Sequence, residues 1–101
     1  METSVFNCDS VLTLLGEKRE QLERFEIKEL ALFGSVARNE AKVDSDLDFL
    51  VEFDAELTFD LYMDLKFFLE ELFQRKVDLV IKEDLKPLIK DKVLQQAVYV
   101  T

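Results

Sequence analysis

Strands are predicted in three places by the pattern of apolar and polar residues. The clearest covers residues 47–53, where every second residue is large and apolar: Leu47, Phe49, Val51 and Phe53. Two short apolar runs, residues 30–33 and residues 77–81, have the length of buried strands, and Gly34 stops the first of them. The chain therefore predicts about three short strands.

Segments whose apolar residues have helical spacing lie before and between these strands. From Thr58, a suitable N-cap, to Gln74 the apolar residues recur at i, i+4, i+7 and i+8, and residues 10–25 show a similar spacing after Asp9 and Ser10. Asp84, with Pro87 in the first turn, predicts a last helix through about Gln96. The alternation predicts an α/β (α+β) fold, a small mixed sheet of about three strands with helices packed against it. Because 101 residues suit one core, we expect a single domain over residues 1–101.

A second apolar stripe is predicted on the longest helix. Phe59, Met63 and Phe67 recur at i, i+4 and i+8, roughly opposite the main apolar face of that helix. A helix that is apolar on both sides is covered on both sides, either by the N-terminal helix of the same chain or by a partner. The stripe is therefore a candidate interface for a partner protein or for a second copy of the chain.

Composition excludes several classes of function. The chain has no histidine, which removes Ser-His and Cys-His nucleophiles and the usual zinc sites, and its single cysteine cannot form an internal disulfide. With 13 basic and 22 acidic residues the formal net charge is -9, so direct binding to nucleic acid is not expected. The sequence shows neither a long apolar span nor an export signal, so we expect no membrane association and a cytoplasmic location.

Carboxylates are the remaining catalytic candidates. Asp46 and Asp48 are two residues apart at the start of a predicted strand, so both side chains project from one face. Hard oxygen ligands of this kind suit magnesium completed by water and substrate phosphates. A calcium loop does not fit, because Phe49 occupies the position that requires glycine. An Asp-rich stretch by itself is more often a solvated turn.

Two further elements accompany these aspartates. Gly34 and Ser35 lie between a predicted strand and a turn or short helix, where backbone N–H groups can bind phosphate. No Gly-Lys-Ser/Thr follows, so the segment is not a P-loop. Asp78 lies within the apolar run of residues 77–81, and an acidic residue there requires a partner, a metal or access to solvent.

In this order, Gly34-Ser35, Asp46-x-Asp48 and Asp78 resemble the nucleotidyltransferase superfamily of DNA polymerase beta. Arg38 and Ser45, with the residues around Asp78 and at 96–100, resemble the minimal nucleotidyltransferases that are paired with HEPN-domain toxins. The resemblance implies metal binding by Asp46, Asp48 and Asp78. It also implies nucleotide binding by four residues: Gly34, Ser35, Arg38 and Ser45. One departure is Asn39, where many relatives have glycine.

The function implied by this resemblance is magnesium-dependent transfer of a nucleoside monophosphate, AMP from ATP, to a hydroxyl of a partner protein, with two magnesium ions. The partner implied is a HEPN-type ribonuclease toxin, which the chain would neutralise as its antitoxin in a hetero-oligomer, and a homodimer stays possible. Two alternatives remain open: an antitoxin that acts by occlusion without catalysis, and a small-molecule nucleotidyltransferase similar to the aminoglycoside-modifying enzymes.

Overall fold

Five helices and four strands make up residues 7–38 and 46–100, which are the residues that the computed structural model describes. In chain order they are α1 (Cys8–Glu17), α2 (Arg19–Glu23), β1 (Ile27–Phe33), α3 (Gly34–Ala37), β2 (Leu47–Phe53), α4 (Phe59–Phe73), β3 (Val77–Ile81), α5 (Pro87–Gln96) and β4 (Val98–Tyr99). A 3₁₀ turn, Lys82–Asp84, lies between β3 and α5. The predicted mixed sheet with packed helices is confirmed.

The strands form one mixed sheet in the order β3-β2-β1-β4. β1 is antiparallel to both of its neighbours, whereas β2 and β3 are parallel and are connected by α4. The starts of β2 and β3 and the end of β1 therefore meet at one edge of the sheet. The prediction of about three strands missed β4, a two-residue strand that pairs with β1.

One face of the sheet carries the core. Alternate residues of the strands are fully buried on this face: Leu30, Leu32, Leu47, Phe49, Val51, Val77 and Leu79. Leu65, Leu69 and Phe73 of α4 pack against them, and the ring of Phe49 stacks on that of Phe73 with centroids 6.1 Å apart. The intervening strand residues, among them Asp48 and Asp78, project from the other face.

The long helix α4 has the boundaries that its sequence predicts. The side chain of Thr58 accepts a hydrogen bond from the backbone N–H of Leu61 at 3.1 Å and caps the first turn. Gln74 ends the helix in the left-handed region with φ 53°. The ring of Phe68 contacts that of Phe25, with ring centroids 5.2 Å apart. The N-terminal part of the chain therefore packs against the side of α4 that carries Phe68.

Three predicted boundaries at the ends of elements were wrong. The helix expected over residues 10–25 is two helices, because the backbone leaves the helical region at Lys18, and it ends at residue 23. β1 begins at Ile27 instead of Leu30, since it follows Glu26, whose φ of 55° turns the chain. The last helix begins at Pro87 instead of near Asp84, which belongs to the 3₁₀ turn.

The helices that the structure describes are short or amphipathic. No helix within residues 7–38 and 46–100 is both long enough and apolar enough to cross a membrane.

Candidate active site

Asp48 and Asp78 are direct neighbours in the sheet. The parallel register of β2 and β3 places Asp48 opposite Asp78, and the antiparallel register of β1 places Phe33 on the other side of Asp48. Neighbouring strands are about 4.8 Å apart, so the two carboxylates project side by side from the face that does not carry the core. Asp46, at the start of β2, is exposed, as is Asp78, whereas Asp48 is half-buried.

Gly34 brings the backbone of the strand-helix turn against Asp48. Gly34 has φ +77°, which L side chains rarely adopt, and it directly follows β1. A Cβ added at this position would overlap Oδ2 of Asp48 and lie 3.1 Å from its Cβ. The absence of a side chain at residue 34 is therefore what allows the carboxylate of Asp48 to lie against this turn.

Among the described residues, three charged side chains act on Asp48. Burial, then Asp78 and then Asp46, raise the pKa of the Asp48 carboxyl above its usual value of 3.8, and Arg38 lowers it. Two of the neighbours carry the same charge as Asp48, so bringing these carboxylates together costs free energy unless a cation offsets their charge. The electrostatics therefore favour a cation at this edge of the sheet.

Arg38 lies at the end of α3, near the carboxylates. Its guanidinium donates a hydrogen bond to Oε1 of Gln96, 3.1 Å away at the end of α5, and it acts on the pKa of Asp48. The contact joins residues that are 58 positions apart in the chain. The predicted position of Arg38 beside the site is consistent with contact to the phosphates of a nucleotide.

Most of the residues predicted for nucleotide and metal binding meet at this edge. Gly34 and Ser35 begin α3, with Ser35 half-buried, and Arg38 follows the same helix. Ser45, the fourth residue predicted to bind nucleotide, and Asn39 lie outside the described residues. The roles of all these residues stay predictions.

The oxygen ligands at this edge fit magnesium chemically. Within residues 7–38 and 46–100, no three Asp, Glu, His or Cys side chains are grouped so as to hold a metal ion by themselves. A magnesium ion held by a few carboxylates would take its remaining ligands from water and from phosphate oxygens of a nucleotide, as this ion commonly does. The donor set and the like-charge repulsion around Asp48 both suit such a shared site.

Three residues that touch the site or its strands have no role predicted from the sequence. Gln96 contacts Arg38, and Tyr62 and Glu70 of α4 bond to the backbone of β3 on either side of Asp78. Their partners are 7 to 58 residues away in the chain. No local pattern in the sequence signals contacts of this kind, because the fold alone brings the partners together.

Comparison with known proteins gives a family match over most of the chain. Residues 15–100 match the family described as "Nucleotidyltransferase domain". The chain is also similar to the protein adenylyltransferase MntA of Thermococcus cleftensis. The two are 44% identical over 92 residues, which cover 91% of each protein.

Solved structures share the fold. A protein assigned to the minimal nucleotidyltransferases superimposes with a TM-score of 0.80 at 34% identity, covering 94% of this chain and 97% of the other. A structure of a tri-AMPylated Shewanella oneidensis HEPN toxin in complex with its MNT antitoxin matches with a TM-score of 0.64 at 19% identity. This second match covers 88% of this chain and 70% of the other, and at that identity it shows similarity of fold alone.

Proposed function

Because this chain belongs to the nucleotidyltransferase domain family, we propose that it transfers AMP from ATP to a hydroxyl group of a partner protein. The chain is a nucleotidyltransferase enzyme. Our proposal adds ATP as the donor and a hydroxyl of a partner protein as the acceptor. The observation that carries the proposal is the register of Asp48 beside Asp78, next to a turn in which Gly34 leaves room for a carboxylate. The name of the adenylyltransferase from Thermococcus cleftensis supports AMP as the transferred group.

Each residue of the site has a role in this reaction. The backbone N–H groups at Gly34 and Ser35 and the hydroxyl of Ser35 bind the triphosphate, and Ser45 adds a further contact to it. Arg38 offsets phosphate charge from the end of α3. Asp46, Asp48 and Asp78 would hold two magnesium ions, and the chemistry that these ions would supply is neutralisation of the negative charge of the phosphates during transfer.

The transfer is a displacement at the α-phosphorus of ATP. The oxygen of the acceptor hydroxyl forms a bond to the α-phosphorus as the bond to the β-phosphate oxygen breaks, and pyrophosphate leaves. A carboxylate oxygen of Asp78 accepts the proton of the hydroxyl. Asp78 suits this role because it is exposed at the edge of the sheet, where an acceptor can approach it, while Asp48 is half-buried.

The acceptor that we propose is a HEPN-domain toxin, neutralised by this chain as its antitoxin. One structural neighbour is an MNT antitoxin in complex with an AMPylated HEPN toxin. The relative from Thermococcus cleftensis is named a protein adenylyltransferase, which supports a protein as the acceptor. The transferred AMP would remain on the toxin after the two proteins separate.

Covalent transfer and simple occlusion differ in whether inhibition outlasts the complex. The HEPN-domain toxin is incubated with the chain, ATP and magnesium; the chain is then removed under mild denaturant and the toxin is refolded. We expect the refolded toxin to stay inactive as a ribonuclease. Incubation without ATP is the control, and this sample should recover its ribonuclease activity. Recovery in both samples would show that inhibition is occlusion, and the proposed transfer would be wrong.

The surface that we propose for binding the toxin is the α4 ridge, defined as Phe59, Met63 and Phe67. Phe59 and Phe67 are 76% and 57% exposed, so the N-terminal helices do not cover them, and that alternative is wrong for these two residues. Asp60 and Asp64 are exposed beside the ridge and give it an acidic border. Charge complementarity therefore favours a partner surface whose apolar residues are bordered by lysine and arginine.

Replacing Phe59 and Phe67 together with serine should weaken toxin binding at least about tenfold, because full burial of such a side chain contributes roughly 1.5–3 kcal/mol. Isothermal titration with the toxin measures the affinity. Leu88→Ser is the matched control, since Leu88 is 95% exposed on α5 and lies outside the ridge. Because both side chains are exposed, the isolated double variant should keep the stability of the wild type. Unchanged affinity in the double variant would show that the toxin binds elsewhere.

A further inference from the structure

The free edge of β3 is bonded to α4 on both sides of Asp78. β3 is an outer strand of the sheet, so alternate backbone groups of β3 face away from β2. Oε2 of Glu70 accepts a hydrogen bond from the N–H of Val77 at 3.1 Å, and Oη of Tyr62 donates one to the carbonyl of Leu79 at 2.6 Å. Both bonds are part-buried. α4 thus holds the residue before Asp78 and the residue after it.

We propose that Tyr62 and Glu70 are positioning residues that fix the carboxylate of Asp78 beside that of Asp48. The proposal rests on the proposed function, because it concerns the metal and acceptor side of the same site. Asp78 lies on β3, which within residues 7–38 and 46–100 has a neighbouring strand on one side only. The two bonds from α4 take the place of a second neighbouring strand at the residues on either side of Asp78.

The inner side of β3 supplies the complementary support. The carbonyl of Lys76 accepts a hydrogen bond from the N–H of Leu47 at 3.1 Å, and the register then places Asp78 opposite Asp48. The backbone N–H and C=O groups of Lys76 and Asp78 therefore point toward β2, while those of Val77 and Leu79 point away from β2. β2 and α4 hold β3 from opposite sides, and Asp78 lies between the two bonds that come from α4.

Besides the hydrogen bond to Leu79, the electrostatics of Tyr62 also indicate that it lies close to Asp78. Burial, and then the charge of Asp78, raise the pKa of the Tyr62 phenol above its usual value of 10.0. The phenol therefore keeps its proton throughout the neutral range and remains the donor to the carbonyl of Leu79. Glu70 supplies only an acceptor in its bond, so a glutamine at this position can replace it through the amide oxygen.

These roles predict a specific order of metal affinities. The probe is Mn2+ in place of Mg2+, titrated into the full chain with an ATP analogue that cannot be cleaved between the α- and β-phosphates, and followed by electron paramagnetic resonance. Tyr62→Phe and Glu70→Ala should each weaken Mn2+ binding about tenfold, the lower end of the usual effect of residues that orient metal ligands. Glu70→Gln should stay within about twofold of the wild type, because the amide keeps the acceptor.

Thr58→Ala is the matched control for a general loss of helix stability. It removes a hydrogen bond between a side chain and the backbone, the one that the N–H of Leu61 donates to the hydroxyl oxygen of Thr58, and leaves both bonds to β3 in place. Metal affinity in this variant should match the wild type. Amide hydrogen exchange without metal gives an independent readout, and in Glu70→Ala exchange at Val77 should rise at least about tenfold.

The possible results separate this proposal from the proposed function. Wild-type Mn2+ binding that is unchanged in Tyr62→Phe and Glu70→Ala would overturn the positioning roles alone. Equal weakening in Thr58→Ala and Tyr62→Phe would assign the effect to helix stability and would also overturn them. Absence of Mn2+ binding in the wild type would overturn both proposals.

Discussion

Asp48→Asn should lower AMP transfer by roughly 100-fold or more while leaving the fold intact. The change keeps the shape of the side chain but removes the negative charge, and Asp48 is the carboxylate that lies between the Gly34 turn and Asp78. Asp46→Asn should act in the same direction, because Asp46 lies close enough to Asp48 to raise its pKa. A loss of this size identifies a residue that acts in the transition state.

In the metal-free chain, Asp48→Asn should raise the stability of the fold although it lowers AMP transfer. Because the pKa of Asp48 is raised on folding, the folded chain binds its proton more tightly than the unfolded chain does. Stability therefore falls as the pH rises from below 3.8 through the folded pKa, and the cost persists at neutral pH. Asp48→Asn removes this cost and should raise Tm by roughly 1–4 °C at pH 7, with a smaller difference near pH 3.

Transfer of labelled AMP to the toxin and thermal scans at the two pH values measure these effects. Asp91→Asn is the matched control, since it makes the same substitution at an exposed position of α5. Transfer by this control should equal that of the wild type. Transfer at the wild-type level in Asp48→Asn would show that Asp48 is not part of the catalytic site. A lower Tm of this variant at pH 7 would show that the wild-type carboxylate stabilises the fold.

Gly34→Ala should also cause a large loss of transfer, about 100-fold, through displacement of Asp48. The new Cβ would occupy the space of the Asp48 carboxylate, so that side chain has to leave its position. The backbone at φ +77° adds a stability cost of about 1–2 kcal/mol for any residue with a Cβ. The loss of activity should therefore exceed what the loss of stability explains at a temperature where the variant is folded.

The other glycine of the chain, Gly16, provides the control. An added Cβ at Gly16, in α1, meets no atom within 4 Å, so Gly16→Ala should keep full transfer and the stability of the wild type or better. Denaturant titration and the transfer assay on the three proteins separate the two effects. Full activity in folded Gly34→Ala would show that close contact between this turn and Asp48 is not needed for transfer.

The parts of the fold with a strong local pattern could be predicted from the sequence. β2 has the predicted limits because its apolar residues alternate without interruption. α4 has them because Thr58 caps it and its apolar residues keep one spacing for four turns. The family of the chain was also predicted correctly, from the order of Gly34-Ser35 and the three aspartates along the sequence.

The rest depends on contacts between residues far apart in the chain. Val98 and Tyr99 form a strand only because the edge of β1 is available to them, and two residues carry no pattern of their own. The overlap between a Cβ at residue 34 and Asp48, and the bonds from α4 to β3, likewise arise from the packing of separate elements. The sequence therefore predicts the three aspartates as site residues but gives no signal of the contacts that hold β3 beside β2 and α4.

The most direct measurement of the central claim is the fate of the phosphates of ATP. The wild-type chain is incubated with magnesium, the HEPN-domain toxin and ATP labelled either at the α-phosphate or at the γ-phosphate, and label on the toxin is counted after denaturing electrophoresis. Nucleotidyl transfer predicts incorporation from α-labelled ATP, none from γ-labelled ATP, and release of one pyrophosphate for each AMP attached. Incorporation from γ-labelled ATP, or none from either, would contradict the proposed adenylyl transfer.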